Sequence, residues 1–136
     1  MTHSRPGPLE LTRHSDDRGH LVAVTGGLDV PFEVRRVFWI FGNDRGLPRA
    51  AHAHPETTEL LVCVAGSCRV GLEWDGGRLD AVLDRPDASL VVPPMTWVDL
   101  SDFTADCVLL VLADTPYDPG AVITDRSAVV GLGARP

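Results

Sequence analysis

The sequence predicts a single all-β domain, an antiparallel barrel or sandwich, on three observations. Short apolar runs rich in β-branched residues recur about every ten residues, and helical periodicity is nearly absent. Turn signals separate the runs, and the strongest of them is the hairpin signal Asp75-Gly76-Gly77. The 136 residues, 44% of them hydrophobic, suit one compact core and leave little room for a second domain.

Each element follows from a local signal, taken in chain order. Residues 1–8 are polar and rich in proline and glycine, so we expect a loose arm there. Residues 119–136 are expected to form a polar tail with room for one turn of helix, so that residues 1–136 make one domain. Strands are predicted at residues 9–14, 21–25, 33–41, 60–65, 68–74, 78–84, 88–92, 96–100 and 107–113.

The charge pattern excludes several classes of function. A net charge of −7 argues against a nucleic-acid surface, which needs clustered cations to neutralise phosphates. All 12 basic residues are arginine, so no lysine Schiff base or lysine general base is available, although a few arginines can still form a local anion site. The chain has no long apolar segment and no apolar signal-peptide core, so we expect a soluble cytoplasmic protein without membrane contact.

The cysteines carry little functional signal in the sequence. Cys63, Cys68 and Cys107 are odd in number and lie in or beside apolar runs. Their spacing matches neither a CxxC pair nor a zinc motif. We therefore interpret them as buried, reduced thiols that belong to the core.

The segment 46–66 holds the only two histidines at a spacing that chemistry requires. His52 and His54 are two residues apart, so in an extended strand both side chains project from the same face, about 7 Å apart along the backbone. One pocket can therefore hold both imidazoles. Glu59 follows them, and the apolar run after it ends in a turn at Gly66.

This spacing resembles the first motif of the cupins, small antiparallel jelly-roll barrels, or double-stranded β-helices, with a site in the barrel mouth. Gly46, His52, His54, Glu59 and Gly66 occupy its fixed positions. In many cupins the two histidines and the glutamate bind a divalent metal, together with a histidine from a second motif. No histidine follows His54 in this chain, so three protein ligands remain, which is enough for a catalytic zinc or iron.

Seven blocks of the chain resemble, in order and spacing, the sugar 3,4-ketoisomerases of the WxcM-like cupins. The resemblance implies conversion of a dTDP-linked 4-oxo-6-deoxyglucose into the 3-oxo sugar for deoxysugar biosynthesis, without a metal or other cofactor. It also implies a homodimer in which N-terminal strands are exchanged between subunits. The blocks lie at residues 17–21, 31–33, 36–40, 52–54, 62–70, 93–97 and 109–113, within a likeness that covers about residues 9–118.

The implied reaction assigns roles to the histidines and arginines. It removes the C3 proton, which the neighbouring C4 carbonyl acidifies, and returns a proton to C4 through an enediol. Such a reaction needs a base of near-neutral pKa, a partner that moves protons between oxygens, and donors for the developing oxyanion. We assign His54 as the base and His52 as the partner, with the reverse order open. Arg18, Arg49 and Arg69 are the candidates for anchoring the substrate.

Three further side chains complete the candidate substrate-binding set. Glu59 either ligates a metal, orients a histidine or lies at the exposed beginning of its strand, and beside the histidines it would raise their pKa. Trp39 and Trp97 either stack on the sugar or the nucleotide base, or fill the core.

Two other functions are open at this point. Phe38 and Trp39 stand where the resembling family commonly has tyrosines, and Glu59 stands where it commonly has glutamine. One alternative is a metal-dependent cupin enzyme that uses His52, His54 and Glu59. The other is a catalytically inactive barrel that binds nucleotide sugars.

Overall fold

The computed structural model describes residues 5–131, and the regular structure in this range is almost entirely β. Eleven strands and one turn of 3-10 helix, at Arg126–Ala128, are present among these residues. The strands are β1 (Gly7–Glu10), β2 (Arg13–Asp16), β3 (Gly19–Val22), β4 (Arg36–Phe41), β5 (Arg49–His52), β6 (Glu59–Ala65), β7 (Cys68–Trp74), β8 (Gly77–Leu83), β9 (Ala88–Val92), β10 (Trp97–Ser101) and β11 (Val108–Ala113).

Two antiparallel sheets pack face to face around the core. The larger has the strand order β1-β9-β6-β11-β4 and the smaller β5-β10-β7-β8, while β2 and β3 form a separate hairpin. Alternate residues point inward, and Leu61 of β6, Leu72 of β7 and Leu109 of β11 are at most 2% exposed. From β5 to β11 the chain crosses repeatedly between the sheets, as in a jelly roll. The predicted all-β double-stranded β-helix is confirmed.

The expected loose arm over residues 1–8 is wrong from Gly7 onward. β1 pairs antiparallel with β9 at the edge of the larger sheet, and Leu9 packs on the apolar cluster outside that sheet. Residues 1–4 lie outside the described residues. The strand predicted at 9–14 is divided at Leu11, whose side chain is buried and whose N–H donates to the carbonyl oxygen of Asp87.

The strands predicted at 21–25 and 33–41 are shorter than expected, because the segment between them is a closed loop. β3 ends at Val22 and β4 begins at Arg36. Val30 in the loop is 1% exposed and packs on the apolar cluster outside the larger sheet. Strand propensity in these few residues does not outweigh the burial that the loop achieves.

The C-terminal tail packs on the outside of the smaller sheet. Ile123, Val129 and Val130 form a separate apolar cluster with Ala53 and Trp97. Both valines are at most 5% exposed. The segment predicted as a polar tail therefore covers the back of the strand that carries the histidines.

The helical turn predicted for the tail is present at Arg126–Ala128. Asp125 caps it by accepting a hydrogen bond from the N–H of Ser127. Arg126 donates to both carboxylate oxygens of Glu73 on β7, with Nε at 2.9 Å, and this pair fixes the tail to the sheet. Across residues 5–131 no helix is long and apolar enough to cross a membrane.

Candidate active site

The backbone at the end of β5 carries a bulge that aims the first histidine. Ala50 and Ala51 adopt left-handed φ values of 70° and 54°, and the register with β10 shifts between Val98 and Asp99. Left-handed non-glycine residues cost roughly 1–3 kcal/mol each, and such strain concentrates at functional sites. The extra residue of the bulge re-aims the side chain that follows it, His52.

Ala53 separates the two histidines and points away from them. It forms an antiparallel bridge with Ile123 through two backbone hydrogen bonds of 2.9 and 2.8 Å, and its side chain is fully buried beside Trp97. His52 and His54 project together from the opposite side, with ring centroids 4.9 Å apart and ring planes at 77°. The predicted shared face is confirmed, although β5 itself ends at His52.

Glu59 lies at the beginning of β6 and is buried against this pair. It stands opposite Ala113 of β11 and Val92 of β9, and is 5% exposed. Its Oε2 atom lies 3.6 Å from Nε2 of His54. Of the three positions considered for this residue, the exposed one is wrong, and the structure places the carboxyl group in contact with a histidine.

Burial disfavours the charged forms of both partners. Desolvation lowers the pKa of His54 to about 4, and the positive charges of His52 and Arg36 act in the same direction. Desolvation raises the pKa of Glu59 to about 7, an effect that Arg36 opposes and Asp114 supports. The expectation that Glu59 would raise the pKa of this histidine is wrong. The spacing of the pair suits an ion pair, but at neutral pH His54 is unprotonated.

Arg36 brings a positive charge to the same place. It begins β4, and its guanidinium carbon lies 5.2 Å from the ring centre of Phe38 and 5.8 Å from that of Tyr117. Its Nε atom is buried and makes no hydrogen bond within the described part of the chain. A buried, unpaired N–H costs about 1–3 kcal/mol, so this donor is available for a ligand oxygen.

Two cavities share a wall beside the histidines. The first has a volume of about 430 Å³ and is lined by both histidines. The second has a volume of about 380 Å³ and contacts His54 but not His52. Both volumes fall in the range of small-molecule sites, roughly 300–1,000 Å³. The shared wall consists of Arg36, His54, Tyr117 and Asp118.

Sequence reasoning did not select Arg36, Tyr117 or Asp118 as site residues. Arg36 could have been found from the sequence. Side chains alternate between the two faces of a strand, so Arg36 shares a face with Phe38 and Ile40. A charged residue on an otherwise apolar face indicates a special use. Tyr117 and Asp118 follow β11 in a stretch without regular structure, and only the return of the chain past the cavity places them there.

Neither tryptophan candidate reaches the cavities. Trp39 lies on the outer face of β4 and is 58% exposed, whereas its neighbour Phe38 lines the larger cavity. Trp97 is 6% exposed and packs against Ala53 under the C-terminal tail. Strand alternation explains both positions, because each tryptophan is adjacent in sequence to an inward-facing residue. Trp97 therefore has the core-packing role, and Phe38 occupies the position considered for Trp39.

The three predicted anchoring arginines are dispersed. Arg18 lies on the turn between β2 and β3, with its side chain 87% exposed and its Nε donating to Asp16 at 3.1 Å. Arg49 is the exposed first residue of β5. Arg69 lies near the start of β7, and its Nε donates to Asp102 at 3.2 Å. None of the three lines either cavity beside the histidines.

The alternative metal site does not fit the geometry. Over residues 5–131, the ligand atoms of His52, His54 and Glu59 do not converge into a close group of three that could hold one ion. We therefore assign no step of the chemistry to a metal at these residues.

Comparison with known proteins is consistent with this geometry. The family model described as FdtA, WxcM-like, C-terminal, matches residues 7–131. A curated protein of Aneurinibacillus thermoaerophilus, TDP-4-oxo-6-deoxy-alpha-D-glucose-3,4-oxoisomerase, is 43% identical over 104 residues. That match covers 76% of this chain and 74% of the relative.

Solved structures of similar proteins have the same fold. A double mutant of the QdtA 3,4-ketoisomerase from Thermoanaerobacterium thermosaccharolyticum, in complex with TDP, matches with a TM-score of 0.88 and 30% identity over 95% of this chain and 94% of that one. The WlaRB TDP-quinovose 3,4-ketoisomerase from Campylobacter jejuni matches with a TM-score of 0.87 and 34% identity over 93% and 97%. The family match and the curated relative together show that the chain belongs to the WxcM-like family.

Proposed function

We propose that this chain is an isomerase that converts a dTDP-linked 4-oxo-6-deoxyglucose into a 3-oxo-6-deoxyhexose through an enediol, as a step of deoxysugar biosynthesis. The observation that carries the proposal is the edge-to-face pair of His52 and His54 at the wall of a cavity that also holds Arg36. The curated relative, named as a 3,4-oxoisomerase of this substrate, supports the substrate class.

His54 takes the C3 proton in this proposal. Its pKa of about 4 leaves the imidazole unprotonated at neutral pH but lies below the near-neutral value that favours a general base, so the ionised Glu59 must raise its basicity. Its side chain contacts both cavities. The C3–H bond breaks, its electron pair enters the enediolate, and the proton stays on the imidazole. In its ionised form the carboxyl group of Glu59, at 3.6 Å, stabilises the imidazolium that forms.

His52 completes the proton transfer. Its ring centroid lies 4.9 Å from that of His54, so both rings can face one small sugar. His52 takes the proton of the C3 hydroxyl as the new carbonyl forms and delivers it to the C4 oxygen, while the imidazolium of His54, after exchange with solvent, protonates C4. The C4 carbonyl is reduced while the C3 carbinol is oxidised within the same molecule, so the reaction needs no external oxidant or reductant.

Arg36 stabilises the negative charge that develops on the C4 oxygen. Its buried Nε is without a hydrogen-bond partner among the described residues and is therefore a preorganised donor. Donors of this kind typically contribute about 10²–10³ in rate. The face of Phe38 beside the guanidinium keeps water from that side and strengthens the interaction.

The substrate diphosphate requires cationic partners, and arginine is suited to bidentate phosphate contacts. Arg18 and Arg49 remain our candidates for this contact, with Arg69 a weaker one; Arg18 and Arg69 would have to exchange their partners Asp16 and Asp102 for the phosphates. Tyr117, which is 74% exposed at the cavity, offers an aromatic face to the nucleotide base.

The decisive experiment follows the sugar by NMR after incubation of the enzyme with dTDP-4-oxo-6-deoxyglucose in deuterated water. We expect a 3-oxo sugar that carries deuterium at C4. The His54→Asn variant should lose about 10²–10⁴ of this activity, which is the contribution of general base catalysis. His14→Asn, at an exposed site in β2, is the matched control and should retain it.

Two results would contradict the proposal. If the substrate binds without turnover, the protein is the inactive binding module considered above. If the product forms without deuterium at C4, the proton taken from C3 is returned to C4 before it exchanges with solvent, and the expected exchange at His54 is wrong.

A homodimer is the second part of the proposal, supported by an apolar face on the outside of the larger sheet. Trp39 and Phe41 of β4 are 58% and 66% exposed, and Val37 and Val64 are 47% and 41% exposed. Exposed apolar side chains gathered on one face of a sheet are typical of an interface between subunits. Light scattering should give twice the monomer mass, and Trp39→Asp should reduce it to that of the monomer.

Exchange of N-terminal strands is the finer form of this dimer. Within one chain β1 pairs with β9 at the edge of the larger sheet, and an exchanged dimer would keep the same register between two chains. The hairpin bearing Arg18 follows β1 and would approach the partner. Coexpressed Arg18→Ala and His54→Asn chains should then recover activity in mixed dimers, since one site has both native residues. If activity is not recovered, Arg18 either serves the active site of its own chain or belongs to no active site.

We also place the enzyme in the cytoplasm. Cys63, Cys68 and Cys107 are free thiols, which suits a reducing compartment. Fractionation of the producing cells, with the enzyme followed by antibody, should find it with cytosolic markers.

A further inference from the structure

All three cysteines of the chain meet at the end of the barrel opposite the histidines. Cys63 is near the end of β6, Cys68 begins β7, and Cys107 immediately precedes β11. Their Sγ atoms all lie within 4.8 Å of one another. On β6, Glu59 lies four residues before Cys63, or about 13 Å along the strand, so this cluster is separate from the proposed active site.

We infer that Cys63, Cys68 and Cys107 form a binding site for a thiophilic metal ion, with zinc(II) as the expected occupant. Thiolates bind zinc at about 2.3 Å, which sets the sulfurs of one tetrahedral site about 3.8 Å apart. The Sγ atoms of Cys63 and Cys107 are 3.6 Å apart. One sulfur pair therefore already has the spacing that a shared ion requires, and the sulfur of Cys68 lies within 4.8 Å of both. Soft thiolate donors select zinc or copper(I) over hard cations.

Oxygen donors for a fourth coordination position are present at the same place. The carbonyl oxygens of Ala65 and Gly66 lie 3.1 and 3.4 Å from Sγ of Cys63, where each accepts a hydrogen bond from the thiol. Three thiolates and one zinc(II) ion leave a net charge of −1. This is the same balance as in the common structural sites with three cysteines and one histidine.

The backbone around the cluster is held rigidly before any ion binds. Gly66 has a φ of +62°, and a Cβ atom at this position would lie 2.6 Å from Asp106 Oδ1 and 2.8 Å from the Cα of Cys107. The loop that carries Cys107 is hydrogen-bonded to the β6–β7 turn, since the N–H of Thr104 donates to the carbonyl oxygen of Ser67 at 3.0 Å. Each of the three cysteines is only 1% exposed.

An ion at this place would join three separate parts of the fold. Cys63 and Cys68 belong to adjacent strands of different sheets, and Cys107 belongs to the loop that leads into β11. Coordination would close the barrel at this end. The expected role is structural, because no solvent-exposed position is left for a substrate.

The test uses the whole chain, purified without chelator and loaded with zinc(II) or, separately, cobalt(II). We expect about one equivalent of zinc by elemental analysis and sulfur neighbours at about 2.3 Å by X-ray absorption. The cobalt form should show the intense near-ultraviolet charge-transfer band of thiolate ligation. Removal of zinc by a chelator should lower the thermal midpoint, and copper(I) under anaerobic conditions serves as the competing occupant.

Matched variants separate this cluster from the histidine site. Cys107→Ala should lose the cobalt band and the effect of chelator on the thermal midpoint, whereas His54→Asn should keep both. The X-ray absorption measurement on the unaltered chain needs no variant, so it decides the question even if Cys107→Ala fails to fold.

Three results would overturn the inference. The first is absence of bound zinc, of the cobalt band and of any copper(I) uptake. The second is nitrogen and oxygen neighbours alone in the X-ray absorption spectrum. The third is a cobalt band that His54→Asn abolishes and Cys107→Ala retains, which would locate the ion at the histidines.

Discussion

The two ends of this barrel are built from the same strands, but one end is open and lined by polar groups and the other is closely packed. At the open end the histidines line cavities of about 430 and 380 Å³, and the Nε atom of Arg36 is buried without a partner in the described range. At the closed end three sulfur atoms lie within 4.8 Å of one another, each belonging to a residue that is 1% exposed. Polar groups left unpaired indicate where a ligand is expected, whereas tight packing indicates where stability is generated.

The largest expected effect tests the open end through Arg36. Replacement by leucine removes the unpaired donor and its charge, so kcat/KM for the sugar nucleotide should fall about 10²–10³. Arg36→Lys, which keeps the charge but not the fork of donors, should recover part of the loss. Steady-state kinetics measures kcat/KM for each variant, and circular dichroism checks that each variant is folded. If kcat/KM of the leucine variant falls by less than about threefold, Arg36 has no part in the mechanism.

Packing at the closed end predicts the next effect, at Gly66. Gly66→Ala should lower the free energy of unfolding by about 3 kcal/mol, because the new methyl group meets Asp106 and the backbone of Cys107. Gly46→Ala is the matched control, since Gly46 has a similar φ of +66° but nothing within 4 Å. It should cost only about 1 kcal/mol for the backbone strain. Equal losses in urea unfolding would show that the closed end is not tightly packed.

The pH dependence of stability separates the two buried groups of the open end. The pKa of His54 is lowered from 6.5 to about 4, so its contribution to stability is lost as pH falls through this window. The pKa of Glu59 is raised from 4.5 to about 7, so its contribution is lost as pH rises through that window. In the unaltered protein the two slopes oppose each other.

Single variants should expose these slopes. Relative to the unaltered protein, Glu59→Gln should gain about 3 kcal/mol of stability as pH rises from 4.5 to 7, and His54→Asn should lose a similar amount as pH rises from 4 to 6.5. Urea unfolding at a series of pH values measures both. Parallel pH curves for all three proteins would mean that the two groups are not buried as described.

The smallest expected effect concerns the two faces of β4. Phe38→Tyr adds a hydroxyl group to the cavity, where the resembling family commonly has a tyrosine, and should raise kcat by less than about tenfold. Trp39→Tyr places the same group on the outer face and should leave kcat unchanged. A larger change from Trp39→Tyr than from Phe38→Tyr would contradict the orientation of this strand.

Local patterns predicted much of the fold and the centre of the site. The strands and the shared face of His52 and His54 follow from alternation and turn signals, which act over a few residues. Trp39 was considered for the site because its ring could stack on the sugar or the base, and strand alternation shows which residues share a face but not which face is inward. Arg36 could be found by the same alternation, since a charge on an apolar face is visible in the sequence.

Other features depend on contacts between distant parts of the chain. The low pKa of His54 results from burial and neighbouring charges that no spacing in the sequence reveals. The cysteines meet because three separate elements end at the same place, although their spacing matches no known zinc motif. Tyr117 reaches the cavity only because the chain returns past it after β11.

The bridge between Ala53 and Ile123 sets the time at which the enzyme can become active during synthesis. The backbone between the two histidines is completed by hydrogen bonds to a residue seventy positions later in the chain. A ribosome adds about 5–20 residues per second, so this delay is about 4–14 seconds. A nascent chain released before Ile123 would contain both histidines and still lack the support that holds them in place.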